Sequence, residues 1–247
     1  MTDGFIDDDA EVGPRRPHFN IDVATTALLY ERCSRCMYLH ARGGSILPLE
    51  SEDPDAELVH ASLKSAHEAG RPVEVSSGRR LRILSQREAV VSIPVSFPFA
   101  EVSYTGIYDA IAESEGRKYL VKYVLPSEAG VQTSRYQREL AALEYALEHP
   151  FDAETEPLRV DGHALLSFAF RQVPVKTHVE KQLAPSEWIV LERRPDRFLS
   201  FMRVVTCILA LEREPPPTPG CPDCKRTRRD TSPTKVGHRT VTQSEAS

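Results

Sequence analysis

The amino-acid sequence predicts an α/β fold in which a mixed central sheet is flanked by helices. Three observations lead to this prediction. Residues 104–150 run as strand, tight turn, strand, loop and helix. Further β-branched stretches and segments of helical spacing lie on both sides of that unit. A chain of 247 residues, 40% of them hydrophobic, is also long enough to bury one core of about 200 residues and to carry tails.

The two strands of the central unit are predicted at 104–112 and 118–125. Both stretches are rich in β-branched and aromatic residues, and Glu115-Gly116 supplies a two-residue hairpin turn between them. Asp109 interrupts the first strand. A carboxylate inside an apolar strand is costly to bury unless it has a partner, so Asp109 is a candidate functional residue.

The helix of the central unit follows a loop that is punctuated by Pro126 and Gly130. Apolar residues recur from Tyr136 to Leu147 at spacings of four, three and four, which places them on one helical face. Ser134 is the predicted N-cap, and Pro150 ends the helix.

Helices and strands are also predicted on both sides of this unit. Asp22 is the predicted cap of the first helix. Cys207 lies among the apolar residues of the last helix, which predicts a small core side chain. The predicted helices cover 19–39, 56–69 and 198–211, and the predicted strands lie around 81–84, 89–95, 164–170 and 188–192.

The two ends of the chain differ in composition from the middle. Residues 1–18 are Asp-rich and then Pro/Arg-rich, and residues 225–247 are basic and polar with few apolar side chains. Both predict disorder, which leaves one folded domain over 19–224.

Charge and hydropathy exclude several classes of protein. The formal charge of −5 carries no global signal for nucleic-acid binding, although a local basic groove is compatible with it. No apolar run approaches the roughly 20 residues that span a bilayer, so no membrane association is expected. The N-terminus is acidic where a signal peptide is basic and then apolar. We therefore expect a cytoplasmic protein.

Four of the five cysteines form two Cys-x-x-Cys pairs, Cys33 with Cys36 and Cys221 with Cys224. Two such pairs together provide the four-thiolate set that Zn²⁺ or an iron–sulfur cluster takes. One hypothesis is a shared metal site that joins the two ends of the folded domain. The other is two unrelated pairs of free thiols, and the sequence leaves both open.

The order of these features resembles the PD-(D/E)XK nuclease superfamily. The features in question are the first cysteine pair, Gly106-x-x-Asp109 before a hairpin, a helix that ends in Leu-Glu-His-Pro, then Pro-Pro-Pro and the second cysteine pair. Within the superfamily the chain is most similar to RecB-type exonucleases, including those of CRISPR adaptation, which carry a cysteine-ligated iron–sulfur cluster. The similarity covers about residues 22–224.

The resemblance implies a restriction-endonuclease-like core and a metal-dependent DNA nuclease. In the family, acidic residues on the hairpin hold Mg²⁺ against a phosphate, and a lysine positions water. Asp109 matches the first acidic residue. On the second strand, where the family has Asp/Glu-x-Lys, this chain has Lys122-Tyr123-Val124. Lys122 therefore replaces the second acid, or it is the catalytic lysine and Leu120 replaces the acid, and a metal ligand is lost either way.

These departures leave two interpretations of the site. In the first, Lys122 pairs with Asp109 in an inactive site, and the protein is a DNA- or protein-binding module that the cysteine site stabilises. In the second, the site has been rearranged, with Asp109 and Glu139 as Mg²⁺ ligands and Lys122 as the catalytic lysine. Glu139 stands where the family's helix carries the glutamine of Gln-x-x-x-Tyr, and Leu143 replaces the tyrosine.

Histidines and basic clusters supply weaker candidates. His40, His60 and His67 lie upstream of the hairpin, where related nucleases sometimes have a histidine ligand. Two basic clusters are able to contact the phosphates of single-stranded DNA or duplex ends. One consists of Arg79, Arg80 and Arg82, and the other is the stretch 225–229.

Overall fold

Two mixed β-sheets, the larger with helices on both faces, make up the part of the chain that the structure describes. It is a computed structural model and describes residues 16–43, 54–126, 133–175 and 178–224. The predicted fold class, α/β with mixed sheets flanked by helices, is confirmed. The tails predicted to be disordered lie almost wholly outside the described residues.

The helices and strands have the following bounds. The helices are α1 (Val23–Arg32), α2 (Ser34–Ala41), α3 (Pro54–Glu68), α4 (Thr133–Glu148) and α5 (Pro195–Leu209). The strands are β1 (His18–Asp22), β2 (Val73–Glu74), β3 (Arg80–Gln86), β4 (Ala89–Val91), β5 (Val95–Ser96), β6 (Glu101–Ile107), β7 (Ala110–Ser114), β8 (Arg117–Val124), β9 (Gly162–Val175) and β10 (His178–Leu191).

The larger sheet has six strands in the order β10-β9-β8-β7-β3-β2. β8 and β9 are parallel, and the other neighbours are antiparallel. The β7–β8 hairpin turns at Glu115 and Gly116, whose φ angles are 54° and 74°. Two successive positive φ values belong to the type I′ turn, whose twist suits a two-residue hairpin. The predicted hairpin is therefore present.

The smaller sheet is built around β6, with β1 parallel to it and β4 and β5 antiparallel. Gly106 in β6 lies where two helices pack closely. A Cβ atom there would lie 2.9 Å from Val23 Cγ2 in α1 and 3.0 Å from Leu143 Cδ2 in α4. A side chain at this position would force the Val23 and Leu143 side chains to shift, so packing explains this glycine.

Each face of the larger sheet has its own apolar core. On one face, Val59 and Leu63 of α3 belong to the same core as Val121 of β8. On the other face, α4 packs with α1 and α5, α2 packs against α1 and α5, and their core includes Leu120 of β8 and Leu140 of α4. Successive residues of β8 therefore face different helices, as strand alternation requires.

The predicted helix over 19–39 is wrong in two places. Phe19 and Ile21 are buried while Asn20 is exposed, and this alternating segment pairs with β6 as a strand. Asp22 caps the following helix as predicted, because its Oδ1 accepts a hydrogen bond from Thr25 N at 2.7 Å. The helix is then interrupted at Cys33, whose extended backbone separates α1 from α2.

The predicted strand over 104–112 is in fact two strands in different sheets, β6 and β7. The chain bends at Tyr108 and Asp109. Arg87, at a φ of 54°, holds the bend, because its N–H donates to Tyr108 O at 3.1 Å and to Asp109 O at 3.3 Å. These contacts come from a distant strand end, so a continuous apolar stretch gives no sign of the change of sheet.

Three smaller expectations also need revision. Cys207 is exposed, because it lies away from the buried face of α5 formed by Phe201, Met202 and Val205. Ser134 lies inside the first turn of α4, which begins at Thr133. The strands predicted at 164–170 and 188–192 are parts of the longer hairpin β9–β10. Across the described residues, no helix combines the length and the apolar character needed to cross a membrane.

Candidate functional site

Asp109 lies at the bend between the two sheets. Its Oδ2 accepts a hydrogen bond from the backbone N–H of Tyr123 at 2.7 Å. The hairpin register pairs Ala110 with Val121, so Asp109 stands opposite Lys122. The bend therefore gives the carboxylate a backbone donor and a cation, which accounts for its place in an apolar region.

Lys122 brings together the three residues that the sequence predicted to be catalytic. Its Nζ lies 3.4 Å from Asp109 Oδ2 and 2.9 Å from Glu139 Oε1. The side chains of Lys122 and Asp109 are 18% and 16% exposed, and that of Glu139 is 1% exposed. The ion pair between Lys122 and Asp109 is thus present, and Glu139 of α4 joins it.

Glu139 is the most deeply buried member of this group. Burial raises the pKa of its carboxyl above the ordinary value, and the ammonium of Lys122 opposes that shift without cancelling it. Its Oε2 atom is buried and has no hydrogen-bond partner among the described residues. Glu139 therefore depends on Lys122 for charge compensation.

His60 approaches the site from α3. Its ring centroid lies 5.3 Å from that of Tyr123, and its Nδ1 is buried without a hydrogen-bond partner in the described part of the chain. Burial lowers the pKa of His60, and Asp109 is near enough to oppose the shift. His60 also lines a cavity of about 520 Å³ between α3 and β3.

The other two candidate histidines have different surroundings. His67 lies on the same cavity, but its Nδ1 is 2.7 Å from the backbone oxygen of Ile83. His40 lies in the last turn of α2.

Mg²⁺ does not fit the carboxylate site as it stands. An ammonium lies between the two carboxylates that the rearranged site would use as ligands. Among the described residues, Asp109, Glu139 and His60 also do not form a group of metal-ligating atoms within 4.8 Å of one another, whereas the four cysteines of the two Cys-x-x-Cys pairs do. Divalent cations need several oxygen ligands at about 2.1–2.6 Å.

The two cysteine pairs form one buried centre. The ligand atoms of Cys33, Cys36, Cys221 and Cys224 all lie within 4.8 Å of one another. Three of the sulfur–sulfur distances are 3.4 Å from Cys36 to Cys224, 3.5 Å from Cys33 to Cys224 and 3.7 Å from Cys36 to Cys221. Of the two hypotheses that the sequence left open, the structure therefore agrees with the shared site, and the four residues can hold a metal ion.

Local backbone geometry places each pair. Cys33 sits at the break between two helices and Cys36 lies in the first turn of α2, so both thiols point to one side. Pro222–Cys224 adopt a helical turn after Cys221. The backbone N–H of Thr218 donates to Cys33 Sγ at 3.5 Å, and a thiolate ligand is stabilised by such a donor.

Burial and mutual contact shift the pKa values of Cys33, Cys36 and Cys224. Burial raises the pKa of Cys33, but hydrogen bonds from the backbone of Thr218 and Cys36 outweigh it and lower the pKa to about 6. Burial and the neighbouring thiols raise the pKa of Cys36, and burial raises that of Cys224 to about 11. Four buried thiols cannot all ionise side by side without a cation, and a bound metal ion supplies that charge.

Comparison with known proteins adds little to this geometry. No protein-family model matches the chain, and no curated protein matches it. Thirteen chains of solved structures match. One of them, described as the crystal structure of SSO0001, has a TM-score of 0.41 and 12% sequence identity, over 79% of this chain and 78% of that chain. Similarity at this level carries no conclusion about function.

Sequence reasoning missed Gln86 and His163. Both side-chain amide atoms of Gln86 are buried beside His60 without hydrogen-bond partners among the described residues, and an irregularity in β3 hides this position from strand alternation. His163 is 2% exposed, and its Nε2 lies 3.0 Å from Glu144 Oε2. The sequence signal that could have identified His163 is a polar residue at the start of a buried strand.

Proposed function

We propose that this chain is a PD-(D/E)XK nuclease-like protein of nucleic-acid metabolism that binds DNA in the cytoplasm but has lost metal-dependent cleavage. The observation that carries the proposal is the position of Lys122, with its ammonium 3.4 Å from one candidate metal ligand and 2.9 Å from the other. The family resemblance supports the nucleic-acid part, and the local geometry supports the loss of catalysis.

The electrostatics favour an inactive site. An ammonium and Mg²⁺ 4 Å apart repel one another by about 8 kcal/mol at an effective dielectric constant near 20. Lys122 must therefore leave both carboxylates before a cation can use them. Movement of Lys122 away from the carboxylates also costs free energy, because Glu139 is 1% exposed and would remain as an uncompensated buried charge.

The cysteine centre stabilises the domain as a structural metal site, and zinc is the metal that we favour. A tetrahedral ion with zinc–sulfur bonds of about 2.3 Å places its ligand sulfurs about 3.8 Å apart. Three sulfur pairs of the centre are 3.4–3.7 Å apart, and all four sulfurs lie within 4.8 Å of one another. An iron–sulfur cluster is a larger body whose cysteine ligands bind different iron atoms, and it requires wider sulfur spacing.

A rearranged nuclease is the second candidate, and the unpartnered carboxylate oxygen of Glu139 favours it. A carboxylate with an unpartnered oxygen, next to a lysine and near Asp109, has the residue types that metal-assisted phosphodiester hydrolysis uses. In this case substrate phosphate and Mg²⁺ together would draw Lys122 away from the acids.

The test uses the full-length protein with labelled single-stranded and duplex DNA, with Mg²⁺ or Mn²⁺ and with EDTA. We expect binding without cleavage under all three conditions. Metal-dependent cleavage that is lost in both Asp109→Ala and Glu139→Ala would overturn the proposal in favour of the rearranged nuclease. If the protein binds neither the single-stranded nor the duplex DNA, the nucleic-acid function is refuted. The function that then remains is that of a metal-stabilised protein-binding module.

Metal content separates the two cofactor hypotheses. Elemental analysis and the visible spectrum of anaerobically purified protein should show one zinc per chain and no colour. Iron with acid-labile sulfide and a brown spectrum would refute the zinc assignment and support the cluster. Cys33→Ser and Cys221→Ser should each lose the metal, because the centre draws one ligand pair from each end of the domain.

A further inference from the structure

A second cavity lies on the side of α4 away from Glu139. It has a volume of about 470 Å³ between α4 and the start of α5, and we call it the α4–α5 cleft. Ligand pockets of a few hundred Å³ are commonly apolar with a few convergent polar groups. The cleft has that composition, with an apolar wall of Ala141, Tyr145, Phe198 and Leu199.

The aromatic wall is held in place before any ligand binds. The Tyr145 and Phe198 rings both pack on the buried ring of Tyr104, with centroid separations of 5.6 Å and 5.9 Å. Leu199, beside Phe198, is 50% exposed. The cleft therefore presents a fixed, partly exposed surface on which a planar ring can stack.

Some charged side chains of the cleft are held in ion pairs within the protein, and others are available to bind a ligand. Glu144 is occupied, because it pairs with Arg193 and lies 3.0 Å from His163 Nε2. Arg194 pairs with Glu192, whose side chain is 68% exposed, and such surface pairs are weak enough to exchange for another anion. Arg197 forms no ion pair with any residue in the described ranges.

The chemistry of the cleft therefore combines stacking with guanidinium donors. Four arginines and three glutamates line it; Arg138 pairs with Glu31 and Arg193 with Glu144, so the guanidinium donors left for a ligand are those of Arg194 and Arg197. Arginine binds phosphate through paired N–H donors, and aromatic side chains stack on any base. Glu148, another lining residue, offers an acceptor that suits the amino group of a base.

We infer that the α4–α5 cleft binds a nucleobase together with its phosphate, from a free mononucleotide or from one nucleotide of a single strand. The base stacks against Tyr145 and Phe198, and the phosphate takes Arg194 and Arg197. The inference rests on the proposed nucleic-acid function but concerns a different surface from the Lys122 site. The two can therefore fail separately.

The experiment is titration calorimetry of the full-length protein with AMP, CMP, inorganic phosphate and a short oligo-dA. We expect a mononucleotide Kd of about 1 mM or tighter, which corresponds to at least about 4 kcal/mol of binding free energy. Arg197→Glu should weaken binding about tenfold or more, and Ala141→Trp should abolish it by filling the cleft. Arg203→Glu, an exposed position on the same helix outside the cleft, is the matched control and should stay within about twofold of wild type.

Each outcome decides one point. If the oligonucleotide binds, the mononucleotides do not, and Ala141→Trp abolishes the binding, the inference is supported and the bound nucleotide belongs to a single strand. Inorganic phosphate that binds as tightly as AMP overturns it in favour of a simple anion site. Absence of any nucleotide binding, or binding that survives Ala141→Trp, also overturns it. DNA binding that both cleft variants retain would leave the proposed function standing without the cleft.

Discussion

Replacement of Lys122 by methionine tests whether this lysine is the counter-ion of a buried carboxylate. Methionine keeps most of the length and the apolar contacts of lysine but removes the charge. Loss of one partner of a buried pair costs about 3–5 kcal/mol. Because the Lys122 side chain is 18% exposed, we expect about 3 kcal/mol of lost folding free energy at pH 8, at the low end of that range.

The cost should depend on pH in a defined direction. The pKa of Glu139 is raised above its ordinary value of 4.5 in the folded protein, and removal of Lys122 raises it further. The folded state then binds the proton more tightly than the unfolded state does. The stability that proton binding by Glu139 adds to the folded state is fully present below pH 4.5. It is lost as the pH rises through the pKa that Glu139 has in the folded protein. Lys122→Met should therefore be less destabilised at pH 5 than at pH 8.

Urea unfolding of four proteins at both pH values measures these effects. They are wild type, Lys122→Met, Glu139→Gln and the double variant. The double variant should recover to within about 1 kcal/mol of wild type, because Glu139→Gln removes the most deeply buried charge and Asp109, which is 16% exposed, keeps its hydrogen bond from Tyr123 N–H. Lys64→Met is the control, since Lys64 is 70% exposed and its loss should cost under about 0.5 kcal/mol. An equal loss at both pH values, or no recovery in the double variant, would refute the counter-ion role.

Three further predictions concern the scaffold. Cys33→Ser and Cys221→Ser should each release the metal and lower the thermal unfolding midpoint, since each removes one of four thiol ligands; retention of metal by either would contradict a shared centre. Gly106→Ala should cost about 1–3 kcal/mol in urea unfolding, because the added Cβ meets two buried side chains at 2.9 and 3.0 Å, and an unchanged midpoint would contradict that packing. Asp22→Ala should cost about 1 kcal/mol through loss of the helix cap, whereas Asp22→Asn, which keeps an acceptor for Thr25 N, should cost little; equal losses would show that the cap bond is unimportant.

Local sequence was sufficient where structure depends on near neighbours. The Glu115-Gly116 turn, the cap at Asp22 and the apolar face of α4 follow from turn chemistry, capping and periodicity within a few residues. An unexplained carboxylate in an apolar segment also indicates a partner elsewhere, and Asp109 has two such partners, Lys122 and the backbone N–H of Tyr123.

Local sequence failed where distant segments decide the outcome. Phe19–Ile21 is a strand because β6 accepts it as a partner, although the segment precedes a helix without a break. The stretch 104–112 changes sheet at Asp109 because Arg87 binds the bend. Neither partner lies within the window that a periodicity argument uses.

The sequence by itself determined the α/β class, the hairpin with its helix, and the two cysteine pairs with the chemistry that they imply. Only the tertiary structure decided that the pairs meet at 3.4–3.7 Å and that Lys122 lies between Asp109 and Glu139. The physical reason is the separation along the chain over which each effect acts. Turn and helix preferences act over a few residues, whereas a metal centre and a buried ion pair depend on how sheets and helices pack across the whole domain.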